Sequence, residues 1–158
     1  MATAQEAAAL ETEHLFDYHV LLRPPVVIGA GPYGTRVFWE SAGGRLEGER
    51  VSSEVLTGGG DWCLIRPDGW TRLDVRGQCR TDDGAFLYMR YWGLVETNEA
   101  FMNAMTSGGE TRFEDQYFRT AIEVETGDPR YAWLTQSVLV GRGRRSEDGV
   151  AYKVFRVG

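Results

Sequence analysis

Turn signals that alternate with short runs of period-two hydrophobicity constrain the fold of this chain more than any other feature. They are densest between Gly58 and Tyr88, where Pro67-Asp68-Gly69 and Asp82-Asp83-Gly84 bound the alternating run Trp70–Arg80. Proline fixes φ and glycine permits a positive φ, which are the requirements of tight turns. Alternation of apolar and polar residues is typical of β-strands. This pattern therefore predicts strands that are joined by hairpins.

The same pattern, followed along the whole chain, predicts roughly nine strands and one helix. The strands are expected at His14–Arg23, Thr35–Ala42, Val51–Leu56, Trp62–Arg66, Trp70–Arg80, Ala85–Leu94, Gln116–Thr126, Tyr131–Arg142 and Val150–Val157. A loop is expected at Gly29–Gly34, and a turn at Gly43-Gly44. The helix should begin at Thr97 or Asn98 and end at Gly108-Gly109, with its apolar residues on one face.

Short connections limit how these strands can pair. Parallel pairing needs long crossovers, which the chain lacks, so an antiparallel meander is the simplest arrangement. A sheet of this size tends to curl, and closure removes its exposed edges. We therefore predict an all-β fold, a meander closed or nearly closed into a β-barrel with one short helix. It should form a single domain over residues 14–158, after a flexible tail or short helix at residues 1–13.

Composition and charge exclude several classes of partner. The chain has 158 residues and a formal net charge of −6, which argues against non-specific binding to nucleic acid. The longest apolar run, Val26–Ala30, is too short to span a membrane. Residues 1–13 lack the basic segment of a secretory signal. We expect a cytoplasmic protein that binds neither nucleic acid nor membranes. The sequence leaves open whether the chain forms a homodimer.

The aromatic content favours a small molecule as the ligand or substrate. Aromatic residues make up 12% of the chain, and such residues commonly line ligand cavities. Cys63 and Cys79 are expected to be small, buried hydrophobic residues. His14 and His19 share no close spacing with the cysteines, so we expect no metal site. We also expect no cofactor.

Six segments occur in an order and spacing that resemble those of a known family. They are Gly58–Trp62, Arg66–Gly69, Thr81–Gly84, Tyr117–Thr120, Glu125–Gly127 and Tyr131–Leu134. Together they resemble the proteins with the domain of unknown function 3237 (DUF3237), which include the UPF0311 proteins. The likeness extends from about Leu15 to about Phe155 and implies a lipocalin-like antiparallel barrel.

What the resemblance implies about activity is limited, because most members are uncharacterised. Some fungal and bacterial relatives look like partners in natural-product pathways, for which cofactor-free cyclisation or isomerisation has been proposed. The family commonly has Asn after Trp-Leu, whereas this chain has Thr135. If that amide belongs to a substrate-binding site, the chemistry of the site is altered here.

Asp61 is the first candidate for a catalytic residue. It follows three glycines, which permit a bulge that can re-aim a side chain near a site. Burial beside aromatic residues would raise its pKa toward neutrality and make it a general base or acid, with Trp62 contacting the substrate. Alternatively, Asp61 caps the glycine loop by accepting bonds from nearby backbone N–H groups.

The polar residues that alternate along Trp70–Arg80 provide two more candidates. If they point into the barrel, Asp74 binds the substrate and Arg76 stabilises a developing negative charge. If they point outward, they form the solvated face of an antiparallel sheet. A salt bridge from Arg76 to a carboxylate is a third alternative.

Aromatic and basic residues later in the chain complete the predicted site. Tyr88 either donates its hydroxyl group to a substrate oxygen or is a core tyrosine. Tyr117 and Arg119 share one face of a strand and form an anion or enolate clamp, unless Arg119 pairs with an acidic residue. Trp133 would supply an aromatic wall.

These residues predict a small-molecule-binding barrel that acts as a cofactor-independent enzyme. The chemistry would be acid–base isomerisation, cyclisation or lyase chemistry on an oxygenated, largely apolar substrate like a natural product. Alternatively, the chain is a non-catalytic carrier of an apolar small molecule.

Overall fold

The computed structural model describes residues 9–158, whose strands close into an antiparallel β-barrel. The elements are β1 Thr12–Leu22, β2 Val26–Gly31, β3 Gly34–Glu47, β4 Ser52–Val55, β5 Gly60–Ile65, β6 Trp70–Thr81, β7 Phe86–Glu96, α1 Glu99–Ser107, β8 Phe118–Glu125, a 3₁₀ turn Pro129–Tyr131, α2 Ala132–Thr135, β9 Leu139–Ser146 and β10 Gly149–Val157. Residues 1–8 of the predicted tail lie outside the described residues.

The barrel closes because β1 pairs with β10 on one side and with β3 on the other. Around the ring the order is β1, β10, β9, β8, β7, β6, then β4 and β5 at one shared position, then β3. β4 and β5 share that position because both pair with β3 and β6. β2 pairs with β3 outside the ring. The predicted closed all-β barrel is confirmed.

Two hairpins follow the predicted turn chemistry. Between β5 and β6, the Gly69 N–H donates to the Arg66 carbonyl oxygen at 3.3 Å, and Gly69 has a φ of 84°. Between β6 and β7, the Gly84 N–H donates to the Thr81 carbonyl oxygen at 2.9 Å, and Gly84 has a φ of 95°. A positive φ is favourable for glycine alone among common residues, so both turns are encoded locally.

Helix α1 has the predicted ends. The Asn98 side-chain oxygen accepts a hydrogen bond from the Phe101 backbone N–H at 3.0 Å, and Gly108 terminates the helix with a φ of 69°. Phe101 packs edge-on against Phe118 of β8. Because α1 joins β7 to β8, it lies across one end of the barrel, which we call the α1 end.

Two predictions that were based on glycines were wrong. The predicted loop at Gly29–Gly34 is mostly strand, because β2 extends through Gly31. The predicted turn at Gly43-Gly44 lies inside β3. Gly44 has a φ of 138°, and a Cβ there would collide with the His19 carbonyl oxygen of β1. Gly44 therefore allows close approach of two strands instead of reversing the chain. In the predicted loop, only Pro32 and Tyr33 form a turn, which joins β2 to β3 between the paired residues Gly31 and Gly34.

The predicted strand Tyr131–Arg142 was also wrong in its first half. The Asp128 side chain accepts a bond from the Arg130 N–H at 2.9 Å, and Pro129 suits the first helical position, so a helical turn begins here. α2 follows, and Leu134 of α2 is fully buried. This segment closes the opposite end of the barrel, which we call the α2 end.

The half of the interior near the α2 end is filled by apolar side chains. Those that are almost completely buried are Phe16, Leu46, Leu87, Met89, Leu134, Leu139 and Val154. Burial of one such side chain stabilises the fold by about 1.5–3 kcal/mol. Cys63 and Cys79 are buried and free, as predicted. Within residues 9–158, no helix has the length and apolar character that a membrane span requires.

Candidate active site

A mostly apolar cavity of about 130 Å³ occupies the half of the barrel near the α1 end. Its apolar lining comes from inward-facing strand residues and from α1: Val20, Leu22, Val37, Val55, Cys63, Ile65, Leu73, Val75, Val95, Phe118 and Val150, with Phe101, Met102 and Met105 of the helix. An engineered apolar cavity of about 150 Å³ binds benzene. This cavity therefore accommodates about one ring, and a larger molecule would extend past α1.

Three buried tyrosines form the floor of the cavity. Tyr18 stacks on Tyr152 with ring centroids 5.7 Å apart, and the Tyr91 hydroxyl group donates to that of Tyr152 at 3.2 Å. Burial raises the pKa of Tyr18, Tyr91 and Tyr152 above the ordinary value, so all three are protonated at neutral pH. Within residues 9–158 the Tyr152 hydroxyl proton has no acceptor, so it can be donated to a ligand oxygen.

Asp61 is a predicted site residue that the structure places in the cavity wall. Residues of one parity on β5, Asp61, Cys63 and Ile65, line the cavity. Asp61 is opposite Trp39 of β3 in the strand ladder. Its Oδ1 accepts a hydrogen bond from the backbone N–H of Asp74 at 2.9 Å. Its Oδ2 has no hydrogen bond to residues 9–158.

The pKa of Asp61 is raised to about 7. Burial is the main cause, because it disfavours the charged form, and the negative charge of Asp74 adds to it. The Asp74 N–H and the positive charge of Arg36 act in the opposite direction. At neutral pH the carboxyl group is therefore present in both protonation states, as a general base or acid requires. The capping alternative holds only in part, since the N–H that Asp61 accepts belongs to β6.

Arg145 is a cavity residue that the sequence analysis missed. It follows Leu139, Gly141 and Gly143 on the inward face of β9, and 8% of its surface is exposed. Its guanidinium carbon lies 5.6 Å from the centroid of the Trp39 ring. The sequence does contain a signal for it: Arg145 lies an even number of residues after Leu139, so the two side chains share one face of a strand. The strand predicted from the sequence ends at Arg142, whereas β9 extends to Ser146.

The predicted inward placement of Asp74 and Arg76 is corrected by the structure. Both residues are exposed, because Leu73 and Val75 take the inward parity of β6. Asp74 does not line the cavity, whereas Arg76 is exposed and also contributes to the cavity lining, next to Gly77. The solvated-face alternative therefore describes β6. No salt bridge joins Arg76 to a carboxylate within residues 9–158.

Tyr117, Arg119 and Trp62 also lie on the outer wall. Tyr117 is 49% exposed, and the Arg119 guanidinium group lies over its ring at 5.0 Å. This cation–π contact replaces both the predicted clamp around a substrate and the alternative salt bridge. Trp62 is 42% exposed and stacks on Phe38 with ring centroids 4.7 Å apart. The structure does not bring these residues to the cavity that Asp61 lines.

The remaining predicted residues are separated from the cavity as well. Tyr88 and Thr135 line, with Asp74, a groove on the outer wall that is open to water. Trp133 does not form a wall of the cavity, because it belongs to α2 at the α2 end. The guanidinium group of Arg50 lies 3.6 Å from the centroid of its ring. No cluster of three His, Cys, Asp or Glu suited to a metal ion lies within residues 9–158.

Comparison with known families classifies the chain. The family model described as "Protein of unknown function (DUF3237)" matches residues 10–157. The chain belongs to the DUF3237 family. The resemblance inferred from its sequence segments is thus confirmed.

Two bacterial proteins are similar to this chain in sequence and fold. The UPF0311 protein RPA1785 of Rhodopseudomonas palustris is 34% identical over 150 residues, covering 94% of this chain and 97% of that protein. Its crystal structure has a TM-score of 0.87 at 31% identity, covering 96% of this chain and 100% of that one. A structure described as a beta-barrel like protein of Acinetobacter baumannii has a TM-score of 0.82 at 27% identity, covering 97% and 99%.

Two fungal proteins are more distant. The PR-toxin biosynthesis cluster protein 7 of Penicillium roqueforti is 26% identical over 139 residues, or 73% of each chain. A crystal structure described as an enzyme from Penicillium herquei has a TM-score of 0.73 at 15% identity, covering 99% of this chain and 100% of that one. The second likeness shows a shared fold alone.

Proposed function

We propose that this chain is an enzyme that binds a small, oxygenated, largely apolar molecule in the barrel cavity and moves one of its protons with Asp61. The observation that carries the proposal is the position of a carboxyl group with a pKa of about 7 in the wall of an apolar cavity. A titratable group perturbed by burial in such a cavity marks a candidate active site. The proton transfer that we propose uses two groups that line the cavity, the carboxyl group of Asp61 and the hydroxyl group of Tyr152.

The proposed step begins with Asp61 as a carboxylate. Its free Oδ2 takes a proton from a carbon next to a substrate carbonyl group, and the electron pair of the broken C–H bond moves to the carbonyl oxygen as an enolate. The Tyr152 hydroxyl group donates a hydrogen bond to that oxygen. One well-placed donor of this kind can stabilise the transition state by about 3 kcal/mol.

The fate of the enolate defines the reaction class. Return of the proton from Asp61 to a different carbon gives an isomerisation. Loss of a leaving group from the enolate gives a lyase reaction, and attack of the enolate on a second electrophilic carbon of the same molecule gives a cyclisation. The description of the Penicillium roqueforti relative as a biosynthesis cluster protein supports a role in the conversion of a small molecule.

A second candidate function is transport or storage of an apolar molecule without catalysis. The observation that favours it is the lining itself, in which aliphatic and aromatic side chains outnumber polar ones. A carrier needs polar groups only to orient its ligand. It has no use for a carboxyl group that titrates near neutral pH, so the properties of Asp61 favour the enzyme.

Hydrogen–deuterium exchange of a one-ring ketone tests the proposal. Cyclohex-2-enone in D₂O is incubated with the protein, and loss of its acidic C–H signals is followed by ¹H NMR, while saturation-transfer NMR reports binding. We expect the wild type to accelerate exchange at least about a hundredfold over buffer. Asp61→Asn should bind the probe without accelerating exchange. Glu123→Gln, which removes an exposed carboxylate from the outer wall, should behave as the wild type does.

Two results would contradict the assignment. Equal exchange with Asp61→Asn and with the wild type would remove Asp61 as the base. Binding of the ketone without any acceleration by the wild type would favour the carrier.

A further inference from the structure

Arg145 is a charged side chain that is enclosed in a mostly apolar cavity. Burial of an ionised group costs several kcal/mol unless it is paired or hydrogen-bonded. Arg145 is 8% exposed and lines the cavity. Its Nε is buried without a hydrogen-bond partner, and no ion pair or side-chain hydrogen bond to the guanidinium group occurs within residues 9–158. The fold therefore retains a charge that it does not satisfy.

The surroundings hold Arg145 in place without neutralising it. Its backbone is tied to the segment after α1: the Arg145 N–H donates to Thr111 Oγ1 at 3.0 Å, and its carbonyl oxygen accepts the Thr111 N–H at 2.9 Å. Asp148 is a nearby acid, but its carboxylate accepts bonds from His19 at 2.9 Å and Ser146 at 3.2 Å on the outside of the barrel. Trp39 offers only the face of its ring to the guanidinium group.

We infer that the molecule bound in this cavity carries an ionised carboxylate, and that Arg145 binds that carboxylate. The inference rests on the proposed use of the cavity and deepens it by naming the chemical class of the substrate. A guanidinium group presents paired N–H donors whose spacing matches the two oxygens of a carboxylate. Such a ligand supplies the partner that the protein itself lacks at this position.

The strand register sets where the rest of the ligand would lie. Trp39 makes a cation–π contact with Arg145 and is opposite Asp61 in the β3–β5 ladder. A ring attached to the carboxylate would therefore lie next to Trp39 and extend toward Asp61. The cavity of about 130 Å³ limits this part to about one ring. Benzoate, a one-ring carboxylate, is a suitable probe, and benzamide is its neutral counterpart of nearly the same shape.

Isothermal titration calorimetry of the full chain with these two probes tests the inference. We expect the wild type to bind benzoate at least about tenfold more tightly than benzamide, because hydrogen bonds to a charged partner are the stronger kind. Arg145→Met should remove this preference. Arg90→Met is the matched control, because it removes the same charge from the exposed outer wall, and it should keep the preference. Asp61→Asn should also keep it, so failure of the catalytic proposal can be told apart from failure of this one.

A second variant, Arg145→Lys, tests the inference even if Arg145→Met does not fold. It keeps the charge and loses the paired donors, so it should bind benzoate with an affinity between those of the wild type and Arg145→Met. The inference is overturned if the wild type binds both probes equally or binds neither at millimolar concentration. It is also overturned if Arg145→Met folds and retains the preference for benzoate, or if Arg90→Met abolishes it.

Discussion

Oδ1 of Asp61 accepts a hydrogen bond from the backbone N–H of Asp74, at 2.9 Å across the β5–β6 ladder. This single bond holds the carboxyl group against β6 and leaves Oδ2 available to the cavity. One N–H donor does not replace the water that burial removes, and the Asp74 carboxylate adds a like charge. The contact thus fixes where the carboxyl group points, whereas burial, which this bond only partly offsets, explains why the proton is held so tightly.

Asp61 should make the stability of the protein depend on pH. Its pKa rises from 3.8 to about 7 on folding, so between about pH 4 and 7 the folded protein binds one more proton than the unfolded chain. That proton stabilises the fold at low pH, and its contribution is lost as the pH rises through 7. Asp61→Asn keeps an acceptor oxygen and cannot ionise. Relative to the wild type, it should gain about 2–4 kcal/mol between pH 4 and 8. Urea unfolding at several pH values measures this gain, and a constant difference would contradict it.

The hydroxyl groups of Tyr91 and Tyr152 should be energetically coupled. They share one buried hydrogen bond, so removal of either hydroxyl leaves the other without its partner at a cost of about 1–3 kcal/mol. The double variant Tyr91→Phe/Tyr152→Phe leaves neither unpaired. Its loss of unfolding free energy should be smaller than the sum of the single losses by about 1 kcal/mol. Tyr33→Phe, at a site that is 75% exposed, is the neutral control. Strict additivity in urea unfolding would show that the bond contributes nothing.

Gly60 should tolerate no side chain, whereas Gly77 on the neighbouring strand should tolerate one. A Cβ at Gly60 would lie 2.6 Å from the Trp39 carbonyl oxygen and would collide with the Phe38 ring, but a Cβ at Gly77 meets nothing within 4 Å. We expect Gly60→Ala to destabilise the fold by about 1–3 kcal/mol, because β3 and β5 must separate. Gly77→Ala should change stability by less than about 0.5 kcal/mol. Thermal unfolding of the two variants makes the comparison, and equal effects would be inconsistent with it.

Trp133 should matter for stability and not for ligand binding. Its ring lies beneath Arg50 at the α2 end, and it does not line the cavity. Trp133→Leu should lower the free energy of unfolding by about 1–2 kcal/mol through loss of packing and of the cation–π contact. Affinity for benzoate, measured on the folded variant, should stay at the wild-type value. A tenfold or greater loss of affinity for benzoate would show that Trp133 contributes to the binding site.

Much of the fold could be predicted because its instructions are local. The turns at Gly69 and Gly84 and the cap at Asn98 each depend on a few neighbouring residues, and the structure confirms all three. The glycines of β3 were misread because their role is not local. Gly44 is required by the approach of β1, a strand distant in the sequence.

In the candidate site, too, some features depend on local sequence and others on the tertiary structure. The sequence by itself determined that the chain consists of antiparallel strands and that a carboxyl group follows a flexible glycine segment, since both depend on residue type and short spacing. Alternation shows that a strand has two faces, but only closure of the barrel decides which face is enclosed. That decision placed the side chain of Asp74 in water and that of Asp61 in the cavity. It also made Arg145 a buried charge. The spacing of Arg145 from Leu139 puts both on one face of β9, but only the closed ring turns that face inward.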